Sequence, residues 1–113
     1  MSLPATKPGL IVVCGLPGVG KTTLARLVAA RTGAAYLRID SIEAALRADR
    51  HTDLAGPEGY LAAGAIARDQ LALGRLVIAD AVNDDAWCHN HWESLAQRAG
   101  AACGGAGALL GHG

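Results

Sequence analysis

This chain of 113 residues contains few cysteines and few aromatic residues, and it has no excess of charge of either sign. The three cysteines, Cys14, Cys88 and Cys103, are too few and too scattered for a disulfide framework, and they are typical of a reducing compartment. Ten basic and ten acidic residues cancel formally, so no long-range field draws the chain to nucleic acid or anionic lipid. Phenylalanine is absent, which leaves small aliphatic side chains to form the core.

Long apolar runs are missing as well. No run approaches the length of a membrane span. Residues 1–9 lack the apolar segment of a secretory signal, and their prolines and glycine predict a flexible lead-in. We therefore expect one domain, located in the cytoplasm, with neither nucleic acid nor a membrane as a partner.

A phosphate-binding motif lies near the N-terminus, in the run LIVVCGLPGVGKTT over residues 10–23. Gly15, Gly20, Lys21 and Thr22 fit the Walker A pattern G-x-x-x-x-G-K-[ST]. The alternative is a glycine-rich strand, turn and helix without a ligand. The strand-like run before the motif and the helix-like run after it favour the phosphate-binding interpretation, because the motif requires that context.

The motif predicts how a nucleotide would be held. Backbone N–H groups around residues 18–23 can surround phosphate at a helix N-terminus, where the helix dipole favours negative charge. Lys21 would reach the β- and γ-phosphates, and the Thr22 hydroxyl would coordinate Mg²⁺. The predicted nucleotide-binding residues are consecutive: Gly15, Leu16, Pro17, Gly18, Val19, Gly20, Lys21, Thr22 and Thr23.

Hydrophobic patterning predicts an α/β fold in which strands alternate with helices. The predicted strands cover residues 10–14, 35–39 and 76–79, and helices are predicted from the loop to about Gly33, over 40–49, over 57–73, and from residue 84 or 85 to about 99. This order favours a three-layer αβα arrangement around a parallel sheet. With about three strands and four helices, the sheet is expected to be incomplete.

Two acidic residues follow predicted strands, at the edge where open α/β sheets bind ligands. Asp80 comes after the run LVIA and would hold a water on the Mg²⁺ that Thr22 binds, although a turn or cap residue is the alternative. Asp40 follows the second strand and would engage an acceptor hydroxyl as a base. Helix capping together with Glu43 explains Asp40 equally well, and both roles stay open.

Two other patterns in the sequence predict neither a metal site nor a guanine-nucleotide site. Cys88, His89 and His91 lie close together in the sequence, but successive helical residues diverge by about 100°. Since no second Cys/His cluster completes a tetrahedral site, a core cysteine and surface histidines are the better interpretation. The D-x-x-G pattern at residues 53–56 does not follow a strand, and no guanine motif is present.

With these features in place, the chain resembles small P-loop kinases that have an adenylate-kinase-like core. It is similar to AAA-domain-labelled ATP-binding proteins, gluconate kinase, chloramphenicol phosphotransferase, shikimate kinase and the zeta toxins. The matching segments are GLPGVGKTTLARLVA, YLRIDSIEAAL and LVIADAVN. In such kinases the second segment often carries two acids separated by one residue; here Arg38 takes the first of those positions and Asp40 the second.

The resemblance implies ATP-dependent phosphoryl transfer to a small-molecule hydroxyl. Lys21 and Asp40 would be catalytic, Thr22 and Asp80 would serve Mg²⁺, and the partners would be the nucleotide and the acceptor. One alternative is a nucleotide-binding fragment without catalysis. Another is an AAA-type ATPase, which is disfavoured because Ala81 follows Asp80 where such motors usually have Glu.

The C-terminal run GAACGGAGALLGHG differs from everything before it, since it is rich in glycine and has no charged residue. We expect a partial nucleotide-binding domain over residues 10–100 and a disordered tail over 101–113. The lid arginines and last strands of the similar kinases are not recognisable there, which indicates a truncated or frame-shifted chain. The uncovered edge of the sheet would then be open to self-association.

Overall fold

The structure is a computed structural model that describes residues 9–14, 20–50, 57–81 and 86–105. Within these ranges the strands are β1 (Gly9–Cys14), β2 (Ala35–Arg38), β3 (Leu76–Ala81) and β4 (Ala102–Gly104). The helices are α1 (Lys21–Thr32), α2 (Ile39–Arg50), α3 (Glu58–Ala72) and α4 (Ala86–Arg98). None of the helices in these ranges is long and apolar enough to cross a membrane.

All four strands form one parallel sheet in the order β2-β3-β1-β4. The sequence predicts this architecture because apolar runs such as Leu10–Val13 are what a strand buried on both faces requires. In the register, β1 pairs with β3 from Gly9 opposite Leu76 to Cys14 opposite Ala81. The strand that precedes the Walker A motif therefore lies inside the sheet.

Helices cover both faces of the sheet, which confirms the predicted αβα layers. On one face, Ala25 of α1 packs with Val13 and Ile78. On the other face, a larger core contains residues of α2, α3 and α4, among them Ile39, Leu71 and the fully buried Trp92. Of the helices in the described ranges, one thus covers the first face and three cover the second.

Small residues allow α3 to approach its neighbouring helices closely. A Cβ placed on Gly64 would lie 3.1 Å from atoms of both His91 and Leu95 on α4. Ala63 and Ala67, on the same helix, are fully buried. Because the side chains at these positions are small, α3 and α4 approach each other closely. A core without phenylalanine is therefore still closely packed.

The predicted element boundaries agree with the structure to within a few residues. Gly33 ends α1 with φ of 73° and donates its N–H to the carbonyl of Ala29, as a glycine after a helix commonly does. The strand predicted over 76–79 continues to Ala81, so Asp80 lies inside β3 rather than after it. The helix predicted from Asp40 begins one residue earlier, at Ile39.

The main difference concerns the glycine-rich C-terminal stretch. Where the sequence predicted no regular structure, residues 102–104 form β4 and pair with Gly9–Ile11 of β1. The pairing prevails over weak local propensity because a neighbouring strand supplies backbone partners whatever the side chains are. The prediction of an uncovered edge is therefore wrong for that half of β1, and residues 106–113 lie outside the described residues.

Candidate functional site

Three residues form a row across the sheet at its C-terminal edge. Arg38 of β2 lies opposite Asp80 of β3, and Asp80 lies opposite Val13 of β1. Val13 is one residue from the end of β1, after which the chain enters the predicted phosphate-binding loop. The sheet register thus brings Asp80 beside the strand that leads into that loop.

The described part of the Walker A motif is the start of α1. Gly20 precedes the helix with φ of 81°, in the left-handed region where other residues are strained by roughly 1–2 kcal/mol. No acidic side chain lies in the first turn of α1, and no side chain caps its start among the described residues. Thr22 is half-buried and Thr23 is exposed. Residues 15–19 and the Lys21 side chain lie outside the described residues.

Asp80 is buried, with 8% of its surface exposed. The Tyr36 hydroxyl donates a hydrogen bond of 2.5 Å to its Oδ2. Tyr36 pairs with Ile78 on the neighbouring strand, so its side chain lies on the same face of the sheet as Asp80. Tyr36 carries no signal in the sequence, because its contact with Asp80 depends on which strands are neighbours.

The protonation of Tyr36 follows from its surroundings. Burial raises the pKa of its phenol above the ordinary value, and the hydrogen bond and negative charge of Asp80 raise it further. The positive charges of Arg38 and Arg26 act in the opposite direction, to a smaller extent. Tyr36 therefore keeps its proton at neutral pH and serves as a donor to the carboxylate.

Asp40 lies apart from the Tyr36–Asp80 pair. It is exposed and belongs to the first turn of α2, where a negative charge interacts favourably with the helix dipole. This position is consistent with helix initiation, and it leaves the carboxylate open to solvent near the end of β2. Within the described ranges, no hydrogen bond or ion pair joins Asp40 to Asp80.

A cavity of about 430 Å³ adjoins the free edge of β2; we call it the β2-edge cavity. Its polar lining consists of Arg26, Tyr36, Arg38 and Ser41. Its apolar lining consists of Leu37, Ile42 and Ile66. Tyr36 and Leu37 are successive residues that point to opposite faces of the sheet, so the cavity extends around the outermost strand.

The Cys88–His91 segment is not a metal site in the described part of the chain. Cys88 is fully buried in the core and His89 is exposed. The described residues include no group of three or more His, Cys, Asp or Glu side chains that could hold a metal ion. The His91 ring stacks on Trp87 instead, with ring centres 5.1 Å apart.

The comparisons with known proteins concern the family and the fold. A family model described as AAA domain matches residues 10–104. No curated protein matches the chain. Solved structures do match it, and all three described below are named as kinases, at identities that show a shared fold.

The "putative kinase" of Chloroflexus aurantiacus j-10-fl is 19% identical with a TM-score of 0.77, covering 90% of this chain and 59% of that one. The APS kinase CysC of Mycobacterium tuberculosis is 23% identical with a TM-score of 0.69, covering 88% and 73%. A gluconokinase of Sinorhizobium meliloti 1021 is 20% identical with a TM-score of 0.53, covering 86% and 55%. The chain thus has the fold of small P-loop kinases and spans about three fifths of the first structure's length.

Proposed function

The chain belongs to the AAA domain family, and from that premise we propose that it binds ATP with Mg²⁺ and transfers the γ-phosphoryl group to the hydroxyl of a small molecule. The observation that carries the proposal is the buried Asp80, which lies opposite Val13 on the strand that leads into the Walker A motif. An acidic side chain beside that motif is what a metal-assisted phosphoryl transfer needs. The proposed location is the cytoplasm.

The side chains of the site fit a magnesium nucleotide. Mg²⁺ prefers oxygen ligands and keeps several of its waters, and Thr22 and Asp80 offer a hydroxyl and a carboxylate. In the proposed arrangement Thr22 would hold the metal, and Asp80 would support it through one of its waters. Tyr36 fixes one oxygen of Asp80. Bound Mg²⁺ would supply charge neutralisation between the β- and γ-phosphates.

The remaining roles fall to the loop and to Asp40. Backbone N–H groups of residues 15–23 hold the phosphates, and Lys21 adds a positive charge beside the β- and γ-phosphates. Asp40 engages the acceptor hydroxyl and takes its proton. Its exposure at the start of α2 leaves the carboxylate accessible to a small molecule.

Calorimetric titration of the full chain with Mg·ATP tests nucleotide binding. Lys21→Ala removes a charge-assisted interaction worth about 1.5–3 kcal/mol, so binding is expected to weaken roughly 10- to 100-fold. Arg31→Ala is the matched control, since Arg31 is an exposed residue in the last turn of the same helix. Equal affinities for the wild type and Lys21→Ala would contradict the proposal.

Turnover separates an enzyme from a binding module. A coupled assay of ADP release with a panel of hydroxyl compounds is expected to identify an acceptor. With that acceptor, Asp40→Asn is expected to lower kcat about 10²- to 10⁴-fold, as loss of a general base does, and to leave ATP affinity unchanged. Lys21-dependent binding with no phosphorylated acceptor would favour the non-catalytic role.

A further inference from the structure

We propose that the β2-edge cavity binds an oxyanion, and that the phosphoryl acceptor is accordingly a small hydroxyl compound that also carries a carboxylate, sulfate or phosphate group. The oxyanion site rests on the cavity itself. Only its assignment to the acceptor rests on the proposed function.

Two guanidinium groups from different elements meet at this cavity. Arg26 comes from α1 and Arg38 from the end of β2, and both side chains are exposed. Both line the cavity together with Tyr36, and the positive charge of each acts to lower the pKa of the Tyr36 phenol. In the described part of the chain, neither arginine forms an ion pair with a carboxylate. Their charges are therefore available to a ligand.

The chemistry of the lining matches an oxyanion on a small carbon skeleton. Arginine binds carboxylates, sulfates and phosphates through parallel N–H donors, and the Ser41 hydroxyl adds one more donor. Leu37, Ile42 and Ile66 supply an apolar surface beside these donors. The volume of about 430 Å³ falls within the range of small-molecule pockets, roughly 300–1,000 Å³.

A second cavity in the described chain shows what distinguishes this one. That cavity measures about 570 Å³ and is lined by Arg68 and Arg98 together with Asp69. Its acidic side chain offsets part of the positive charge. The β2-edge cavity has no acidic lining residue among those described. The carboxylate beside it, Asp80, is buried and hydrogen-bonded to Tyr36, so the two exposed arginines leave an excess of positive charge on the cavity surface.

The position of the cavity connects it to the proposed metal site. Tyr36 lines the cavity, and its hydroxyl donates a hydrogen bond to Asp80. Arg38 lies opposite Asp80 in the sheet register. A ligand whose oxyanion occupies the cavity would thus have the rest of its skeleton beside the edge where the γ-phosphate is expected.

Sulfate titration followed by NMR tests the site without a nucleotide. The probe is sodium sulfate at constant ionic strength, and the readout is the Nε–H signal of each arginine in ¹H–¹⁵N spectra. Saturable shifts are expected at Arg26 and Arg38. Arg26→Gln and Arg38→Gln should each weaken sulfate binding roughly 10-fold or more, the usual effect of losing a charge-assisted hydrogen bond, and Arg68→Gln should leave it unchanged.

Several results would overturn the oxyanion site. These are shifts that grow linearly without saturation, shifts confined to residues 20–24 at the start of α1, or equal weakening in Arg68→Gln. Because Arg26, Arg38 and Arg68 are all exposed, the three variants are comparable in their effect on folding. The wild-type titration decides the question even if one variant folds poorly.

Matched acceptors test the link to phosphoryl transfer. For pairs that differ only in one group, a hydroxy acid and its amide, the wild type is expected to prefer the acid at least ~10-fold in kcat/KM, a ratio that corresponds to one charge-assisted hydrogen bond. Arg38→Gln should lose that preference. A wild type that uses amide and acid equally would reject the acceptor assignment. Failure of Lys21-dependent ATP binding would reject the proposed function and leave the sulfate result standing.

Discussion

The hydrogen bond from Tyr36 determines the orientation of Asp80, the one buried carboxylate of the described chain. A buried carboxylate needs donors, because an unpaired buried charge is strongly unfavourable. Tyr36 supplies one donor to Oδ2 and restricts the rotation of the side chain. The second oxygen of Asp80 is then oriented by the same contact, and in the proposed function this contact would make Tyr36 a positioning residue for the metal site.

Tyr36→Phe removes this donor while keeping the aromatic ring. The free energy of unfolding is expected to fall by about 1–3 kcal/mol, the usual cost of leaving a buried polar group without its partner. Urea denaturation measures the change. In an Asp80→Ala background the same substitution should cost clearly less, because the acceptor has already been removed. Equal costs in both backgrounds would mean that the two side chains do not interact.

At this scale the sequence reveals Asp80 but not Tyr36. An acid directly after an apolar run can be predicted to lie at the carboxyl end of a strand, and Asp80 indeed lies in the last part of β3. Tyr36 has no motif of its own. Its contact with Asp80 depends on β2 and β3 being neighbours in a particular register, which is a tertiary property.

Between α3 and α4, four rings form an aromatic cluster, which comprises Tyr60, Trp87, His91 and Trp92. The His91 Nε2 lies 3.1 Å from the carbonyl oxygen of Tyr60, within hydrogen-bonding distance. Burial lowers the pKa of His91 below its ordinary value, an effect that the carbonyl opposes and the charge of Arg98 reinforces. The neutral ring is therefore the form that the folded helix pair prefers.

His91 makes the packing of α3 against α4 sensitive to acid. Because the pKa of His91 in the folded chain lies below the ordinary histidine value of 6.5, the unfolded chain binds more protons as the pH falls below that value, and the free energy of unfolding decreases. Urea denaturation at pH 7.5 and pH 5 is expected to show this loss. His91→Gln should reduce it. An unchanged pH dependence in His91→Gln would contradict the assignment.

Helices were the elements most accessible to prediction. Gly33 follows α1 and Gly74 follows α3, and both have positive φ. Glycine is commonly found at such positions after the end of a helix, so the sequence predicts both ends. The packing of His91 against Trp87 could not be foreseen in the same way. A Cys-His-x-His run offers several chemical interpretations, and only the orientation of α4 shows that Cys88 is in the core and that the His91 ring stacks on an indole.

At the scale of the whole molecule, one edge of β1 is partly covered by β4, a strand of only three residues. β4 pairs with Gly9–Ile11 and not with the residues that follow, so the half of β1 nearest the candidate site has β3 as its only strand partner in the described chain. Ala101, just before β4, packs against the larger core. The end of the described chain is therefore part of the folded domain.

Two shortened chains test the contribution of β4. Deleting residues 101–113 removes the strand, whereas deleting residues 106–113 retains it. The first deletion is expected to lower the free energy of unfolding by about 2–3 kcal/mol, from the loss of a few backbone hydrogen bonds worth about 1 kcal/mol each, and to increase light scattering, because it exposes a strand edge. The second deletion is the control. Equal stability and equal scattering of the two shortened chains would contradict a structural role for β4.

The fold class was predictable from residues 10–99, because apolar runs alternate with helical patterns and the Walker A motif fixes the first strand and helix. The parallel sheet and its αβα layers confirm that prediction. β4 was not predictable. A run of Ala, Cys and Gly carries no strand signal, and it becomes a strand only because the edge of β1 is next to it.

The strand order also determines the sequence of events by which the chain reaches this structure. β1 is synthesised first, yet its partners β3 and β4 come later in the chain. Both β1 and β2 pair with β3, so neither strand has this partner in a growing chain before β3 has been made. Such long-range parallel pairing slows folding. The nascent chain therefore carries unpaired apolar strands until most of the domain has been translated, and such exposed strands are prone to aggregation.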